Sequence, residues 1–328
     1  MKNIYITTKT PLRISFFGGG TDFENFYKNF SGNILSTSID KYIYVTIKSQ
    51  NQFFDENFRL NYSKTERVKK IDEIQNQIIK ECLKYTNIKS RLYISTVSDI
   101  PDSTGLGSSS AFTVGLLKGL YKIKGFKKSN KELAKIASYI EINKVKSPIG
   151  KQDQLACSLG GFNNIIFNRN NTVKIKKIKN LKLLNEVFKY SALIWTGKYK
   201  KSKKILSDQQ KNVKNNTKNL KKILQISYKT SKKISKNKFS FNEFKNNLKI
   251  SWRLKKTLSK KISNPKINNI IKLFETKHFG FKLLGAGGGG FIFVVGKNNK
   301  KIIKNNKLIT LKVKPENKGS EIIYEETK

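Results

Sequence analysis

The stretch Pro101-Asp102-Ser103-Thr104-Gly105-Leu106-Gly107-Ser108-Ser109-Ser110 decides how the rest of the chain is read. Residues 91–97 before it read as a strand, and residues 111–121 after it are apolar enough to form a buried helix. A glycine- and serine-rich loop that opens a helix turns several backbone N–H groups and the helix dipole toward one point. That arrangement suits the phosphates of a nucleotide, and a hydroxyl within it can reach Mg²⁺. The loop is not a Walker P-loop, because the Gly-Lys-Ser/Thr ending is absent. An ordinary capped helix after a flexible loop is the alternative.

Two more glycine-rich segments flank this one at a distance. Pro11-Leu12-Arg13-Ile14-Ser15-Phe16-Phe17-Gly18-Gly19-Gly20-Thr21-Asp22 sets one cation in an apolar strand, then three glycines and a Thr-Asp pair. Glycines allow close approach of a ligand, and Asp22 can accept hydrogen bonds from two neighbouring sugar hydroxyls. A tight hairpin with a surface aspartate would give the same string. Lys282-Leu283-Leu284-Gly285-Ala286-Gly287-Gly288-Gly289-Gly290-Phe291 runs directly into an apolar strand. Four adjacent glycines are entropically costly. A bulge accounts for one or two of them, and close packing on a ligand or on the Pro101–Ser110 loop accounts for more.

Between these segments the chain alternates short strands and helices. Residues 33–47 predict a hairpin turning at 38–41, and residues 72–85 a helix. Ser129 with Glu132 forms a capping-box signature for a helix reaching about residue 143. Ser147-Pro148-Ile149-Gly150 breaks the chain, 152–159 predicts a short helix and 162–167 a strand. A strand at 190–196 precedes a long lysine-rich helical region, 202–261. A boundary is placed near residue 180, dividing 1–180 from 181–328. At 328 residues two domains or one bilobed unit are expected.

The charge is extreme, 67 Lys+Arg against 22 Asp+Glu. Such a surface invites nucleic acid, but lysine is spread everywhere, including runs such as 211–219 that read as solvated helix faces. Net charge speaks to solubility and non-specific binding, so no specific nucleic-acid partner is expected. The single histidine, His278, rules out a multi-histidine zinc site and is expected at the surface. Cys82 and Cys157 form no redox or metal pair. With no apolar leader in residues 1–10 and no segment of membrane-span length, a reducing, cytoplasmic location is expected.

Taken in order, the three glycine-rich segments resemble the GHMP kinase superfamily, which includes galactokinase, homoserine kinase and mevalonate kinase. Pro11-Leu12-Arg13 looks like its Pro-x-Arg/Lys motif. Residues 101–109 look like its Pro-x-x-x-Gly-Leu-Gly-Ser-Ser phosphate loop, and residues 282–291 like its C-terminal glycine motif. Gly18-Gly19-Gly20-Thr21-Asp22, Gly150-Lys151-Gln152-Asp153-Gln154, Thr196-Gly197 with Ser202, and Ser251-Trp252 with Lys255 resemble the D-glycero-D-manno-heptose 7-phosphate kinases and related L-fucose kinase domains. Lys201 departs from the arginine expected there.

The resemblance implies an α+β, two-lobed fold, with a ribosomal S5 domain 2-like N-terminal lobe and a ferredoxin-like C-terminal lobe. It implies ATP and Mg²⁺ as cofactors and a small sugar phosphate as partner, in a monomer or homodimer. Asp153 is the implied base or positioner of the acceptor hydroxyl, with Arg13 the cation beside it. Pro101, Gly105, Leu106, Gly107, Ser108, Ser109 and Ser110 are the implied ATP site, and Ser109 with Glu141 the metal oxygens. Gly18, Gly19, Gly20, Thr21, Asp22, Gly287 and Gly288 are the implied substrate contacts, with Lys198, Lys201, Lys203 and Lys255 as candidate cations for a substrate phosphate. Transfer to C1 of the heptose 7-phosphate, giving a 1,7-bisphosphate for nucleotide-heptose synthesis, is the implied reaction. A kinase of L-fucose or galactose, and a basic nucleic-acid binder on a decayed kinase fold, are the competing readings.

Overall fold

The computed structural model describes residues 4–179, 181–197 and 202–327. Two sheets organise them. The larger is built on β1 (Ile4–Phe17) and β2 (Gly32–Ser49), antiparallel along their length, with the helix α1 (Glu24–Phe30) between them in sequence. The hairpin expected within 33–47 is instead one bent strand. Its register with β1 jumps from Pro11↔Tyr42 to Leu12↔Ile39, so Asp40 and Lys41 form a bulge. A bulge bends and twists a strand without reversing it, and here it lets β2 serve two neighbours. The second half of β2 pairs with β5 (Leu92–Ser98), and the first half with β6 (Phe162–Phe167). β3 (Phe58–Asn61), β4 (Thr65–Val68) and β7 (Val173–Lys177) extend the two flanks.

Helices α2 (Gln77–Thr86), α3 (Ser108–Ile123), α4 (Asn130–Tyr139) and α5 (Gln152–Leu159) cover this sheet. α3 is the central one. Its apolar residues are nearly all buried, and Gly115 and Gly119, four apart, face β1 and β2. A Cβ on Gly115 would lie 2.9 Å from Thr10 Oγ1, and one on Gly119 2.7 Å from Ile47 Cδ1. The missing side chains bring the helix down onto the strands, where Thr8 Oγ1 donates to the Gly115 carbonyl at 3.1 Å. The middle of α3 is thereby fixed against β1.

The second sheet follows α6 (Leu181–Lys189). It contains β8 (Ser191–Trp195), β9 (Gly280–Leu283), β10 (Phe291–Val295) and β11 (Thr310–Leu311), in the antiparallel order β11-β8-β10-β9. The lysine-rich region divides into α7 (Ser202–Lys211), α8 (Thr217–Ser235) and α9 (Phe241–Lys256), followed by α10 (Pro265–Lys272) and, after β10, α11 (Asn299–Asn305). α8 buries Leu220, Ile223, Ser227, Thr230 and Ile234 at helical spacing and leaves Lys218, Lys221, Lys222, Lys229, Lys232 and Lys233 in solvent. In the run 211–219 the lysines are exposed as expected, but 212–216 is the turn between α7 and α8 and not a helix face.

The two sheets meet over an apolar joint. Phe16 of β1 lies in ring contact with Phe162, Phe188, Phe244 and Phe293, drawn from both halves of the chain. Beside it, where β1 and β2 lose register between Ser15 and Phe17, the Ser15 and Phe16 carbonyls accept from Lys282 Nζ of β9 at 3.1 and 2.8 Å. Burial, with the charges of Lys255 and Arg13, pushes this amine well below the ordinary lysine range. The end of the chain, grouped by the sequence with the second half, returns to the larger sheet. β12 (Pro315–Glu316) pairs with β2, and β13 (Glu321–Thr327) forms the edge beside β1. Strand pairing to β1 outweighs sequence proximity. Among the described residues no helix is long and apolar enough to cross a membrane.

Candidate active site

A cleft of about 920 Å³ runs between the two halves, lined by the Pro101–Ser110 loop, Arg13, Glu141, Asp153, part of α7 and the glycine-rich loop after β9. Gly107 caps α3 in the left-handed region at φ 87°, and Pro101, Gly105, Gly107, Ser108, Ser109 and Ser110 all face the cleft. Leu106 does not: its side chain is fully buried, and its carbonyl accepts from the Arg13 N–H at 3.0 Å, tying the loop to β1. Thr104 Oγ1 and Ser108 Oγ are buried without a hydrogen-bond partner among the described residues. Buried hydroxyls are ordinarily paired, so the loop carries unspent hydrogen-bonding capacity at the helix N-terminus.

The two residues nominated for chemistry are joined. Arg13 Nε donates to Asp153 Oδ1 at 2.8 Å and NH2 to Oδ2 at 2.7 Å, a two-pronged pair. The third guanidinium nitrogen donates to the Gly105 carbonyl at 2.7 Å. Burial opposes the charge on Arg13, and the Asp153 carboxylate more than restores it. Asp153 stands in the first turn of α5, and Arg13 on the strand that α3 and its loop are fixed to.

Ser109 and Glu141 are likewise in contact. Ser109 Oγ donates to Glu141 Oε2 at 2.7 Å, and Gln154 Nε2 donates to Oε1 at 2.8 Å. Glu141 lies on a π-helical turn, Ile140–Lys144, that ends α4. Such a turn carries an extra residue and often marks a functional position. Burial pushes the carboxyl of Glu141 up, and the bonds from Ser109 and Gln154 hold it down.

Asp22 is placed differently from its expected role. It is 2% exposed and off the lining of the cleft. Gln152 Nε2 donates to Oδ1 at 2.9 Å, and the Gln152 N–H to Oδ2 at 3.3 Å. Gln152 Oε1 in turn accepts from Ser15 Oγ at 2.9 Å. Arg13 and Ser15 share a face of β1, and their partners Asp153 and Gln152 are adjacent on α5, so the two contacts lock helix to strand in one register. Burial, and then the charge of Asp153, push the Asp22 carboxyl up to about 6. A Cβ on Gly150 would stand 2.0 Å from Asp22 Oδ2, which explains that glycine. Thr21 is buried, its hydroxyl donating to the Gly18 carbonyl at 2.8 Å.

In the third segment Gly287 lines the cleft, while the Gly288 N–H donates to the Ile262 carbonyl at 2.7 Å. This segment packs on the phosphate-type loop: Phe291 N–H donates to the Thr104 carbonyl at 3.2 Å, and a Cβ on Gly285 would meet Gly105 Cα at 2.4 Å. Of the candidate cations, Lys198 and Lys201 lie outside the described residues. Lys203 is exposed and lines the cleft. Lys255 is buried, and its Nζ donates to the Leu283 carbonyl at 3.0 Å and to that of Gly285. The sequence reading missed the far wall of the cleft, where Tyr62, Asn76, Ile78, Thr96 and Ser98 gather from α2, β5 and the β3–β4 turn. Asn76, expected inside a helix over 72–85, instead caps the shorter α2, accepting from the Ile78 and Ile79 N–H groups. Nothing local showed that it also faces a ligand space.

The profile of the GHMP kinases N terminal domain matches residues 71–161, and that of the GHMP kinases C terminal domain matches residues 233–305. The chain is 30% identical over 312 residues to a D-glycero-alpha-D-manno-heptose 7-phosphate kinase of Campylobacter jejuni, covering 90% of this chain and 91% of that one. It is 30% identical over 232 residues to a mevalonate kinase of Methanocaldococcus jannaschii, 68% of each chain. Its fold resembles the crystal structure of a D-glycero-D-manno-heptose 1-phosphate kinase from Bacteroides thetaiotaomicron, with a TM-score of 0.78 and 22% identity over 97% of this chain and 99% of that one. With both profiles matched in order and 30% identity across 90% of its length, the chain belongs to the GHMP kinases and is a phosphotransferase with an alcohol group as acceptor.

Proposed function

We propose that this ATP-dependent sugar kinase takes D-glycero-D-manno-heptose 7-phosphate as acceptor and phosphorylates its C1 hydroxyl, with Mg²⁺ as cofactor. The observation that carries the chemistry is the Arg13–Asp153 pair standing beside the phosphate-type loop in one cleft. The acceptor rests on the Campylobacter relative, named for the 7-phosphate, and on the triple-glycine segment. The Bacteroides protein is named for a 1-phosphate, so the two names place the resident phosphate differently. Lys203, exposed on the cleft wall with no ion pair among the described residues, offers a cation for that phosphate.

In the transfer the acceptor oxygen bonds to the γ-phosphorus, the bond to the β–γ bridging oxygen breaks, and ADP leaves. Such reactions run mainly on positioning and charge neutralisation. Asp153, held on both oxygens by Arg13, orients the hydroxyl through its remaining lone pairs and takes its proton as the bond forms. Arg13 balances the negative charge that develops there. The N–H groups opening α3, with the Ser108 hydroxyl, bind phosphate oxygens. Ser109 and Glu141 present hard oxygens of the kind Mg²⁺ prefers, and the buried Glu141 carboxylate would gain a counter-charge from it. When bound there the ion supplies positive charge to the phosphates.

The test is ADP release with ATP·Mg²⁺ and a panel of sugars, run beside Asp153→Ala. Turnover of the heptose 7-phosphate alone, reduced about 10²–10⁴-fold in the variant, is expected. Turnover of L-fucose or galactose instead rejects the acceptor. Full activity in the variant rejects the role of Asp153.

A further inference from the structure

We infer that Lys255 is a positioning residue for the transfer cleft: it fastens the root of the glycine-rich wall, residues 284–287, to α9 and so holds that wall against the phosphate-type loop. The contacts form an unbroken path. Lys255 Nζ donates to the carbonyls of Leu283 and Gly285, which bracket the point where β9 gives way to the loop. Leu284, Gly285, Ala286 and Gly287 then line the cleft. Gly285, at φ 64°, is seated on the backbone of Gly105. The Gly105 carbonyl accepts from Arg13 at 2.7 Å, and Arg13 holds Asp153. A loop with four successive glycines has many conformations to lose, and a side chain anchored in a helix that grips the carbonyls at its root fixes the point from which it departs.

Three charged groups face this amine from the elements around it: Arg13 of β1, Asp153 of α5 and Lys282 of β9. Burial, then repulsion from Arg13, push Lys255 down to about 7, with Asp153 opposing. The surrounding protein groups therefore leave the amine poised between its charged and neutral forms. A polyphosphate entering the cleft favours the charged form, so nucleotide binding and protonation of Lys255 reinforce each other.

This role for Lys255 depends on the kinase chemistry and not on the identity of the sugar. Steady-state kinetics of the full chain are measured between about pH 6 and 9, using whichever acceptor the wild type turns over, with melting temperatures recorded alongside. kcat/KM reports ionisations of the free enzyme. For the wild type kcat/KM for ATP is expected to fall as the pH rises through about 7. Lys255→Met is expected to remain folded, lose at least ~10-fold in kcat/KM for ATP below that pH, and show no such fall. Lys255→Arg keeps the charge and the donors but does not titrate, so it should retain activity and also lack the fall. If the Lys255→Met variant does not fold, the arginine variant decides. Where no acceptor is found, the affinity for a non-hydrolysable ATP analogue by calorimetry gives the same comparison. A methionine variant within twofold of wild type, or either variant keeping the fall near pH 7, would overturn the inference.

Discussion

Gly19 differs from the glycines on either side of it. A Cβ on Gly18 would lie 1.8 Å from the Asn33 carbonyl oxygen, and one on Gly20 3.1 Å from a Leu220 methyl, so both are explained by packing. At Gly19 an added Cβ meets nothing within 4 Å. No packing requirement within the described residues accounts for it, and it is not among the residues lining the cleft, so the substrate contact expected of it from the resemblance is open to direct test. Gly19→Ala should leave the melting temperature unchanged within about 2 °C and raise KM for the sugar several-fold, without changing KM for ATP. An unchanged sugar KM would remove Gly19 from the substrate site. Asp22, three residues on, was read as a substrate contact and its burial was not legible, because its partner Gln152 is 130 residues away. Its folded pKa, about 6, lies above the ordinary carboxyl value of 3.8. The folded state therefore binds more protons over that interval, and the stability this brings is complete below about pH 4 and lost as the pH rises through 6. Unfolding free energies from denaturant titrations between pH 4 and 7 should fall more for wild type than for Asp22→Asn, by an amount on the order of 3 kcal/mol. Equal slopes would show that Asp22 is not held in this way.

Elements were legible where the signal was local. α5 and β6 occupy the residues expected of them, because a Pro-Gly break precedes the helix and a Gly-Gly pair separates it from the strand. β2 was misread because a bulge and a turn begin alike in sequence; what decides between them is that β5 and β6 both wait to pair with the same strand. The π-helical turn at Glu141 left no trace in the pattern, since one extra residue in a helix end does not alter its composition. The glycine-rich wall after β9 was correctly expected to pack closely, and Gly285 shows how tightly. Alanine there would require a left-handed backbone at φ 64° and a Cβ 2.4 Å from Gly105 Cα. Gly285→Ala should destabilise the protein by roughly 2–4 kcal/mol and lower kcat through displacement of Gly105. A variant as stable and active as wild type would mean the two loops are not mechanically coupled.

At the scale of the whole molecule, lysine is so common that a sequence cannot rank one above another. The structure separates them by burial. Most stand in solvent on helices, strands and loops alike, whereas Lys255 and Lys282 are 7% and 4% exposed and spend their donors on backbone carbonyls near the joint between the sheets. Both basic and acidic residues thus act here through where the fold puts them, and the excess of positive charge describes mainly the solvated shell. The position of β13 has a consequence of another kind. Ile4 pairs with Thr327 and Lys9 with Glu321, so β1 receives its outer neighbour from a segment synthesised well after it. Until then β1 carries an open hydrogen-bonding edge, the kind of surface on which strands of other chains assemble. A ribosome stalled before residue 321 would hold a protein whose strand β1 has an unfinished flank, exposed to any nascent chain beside it.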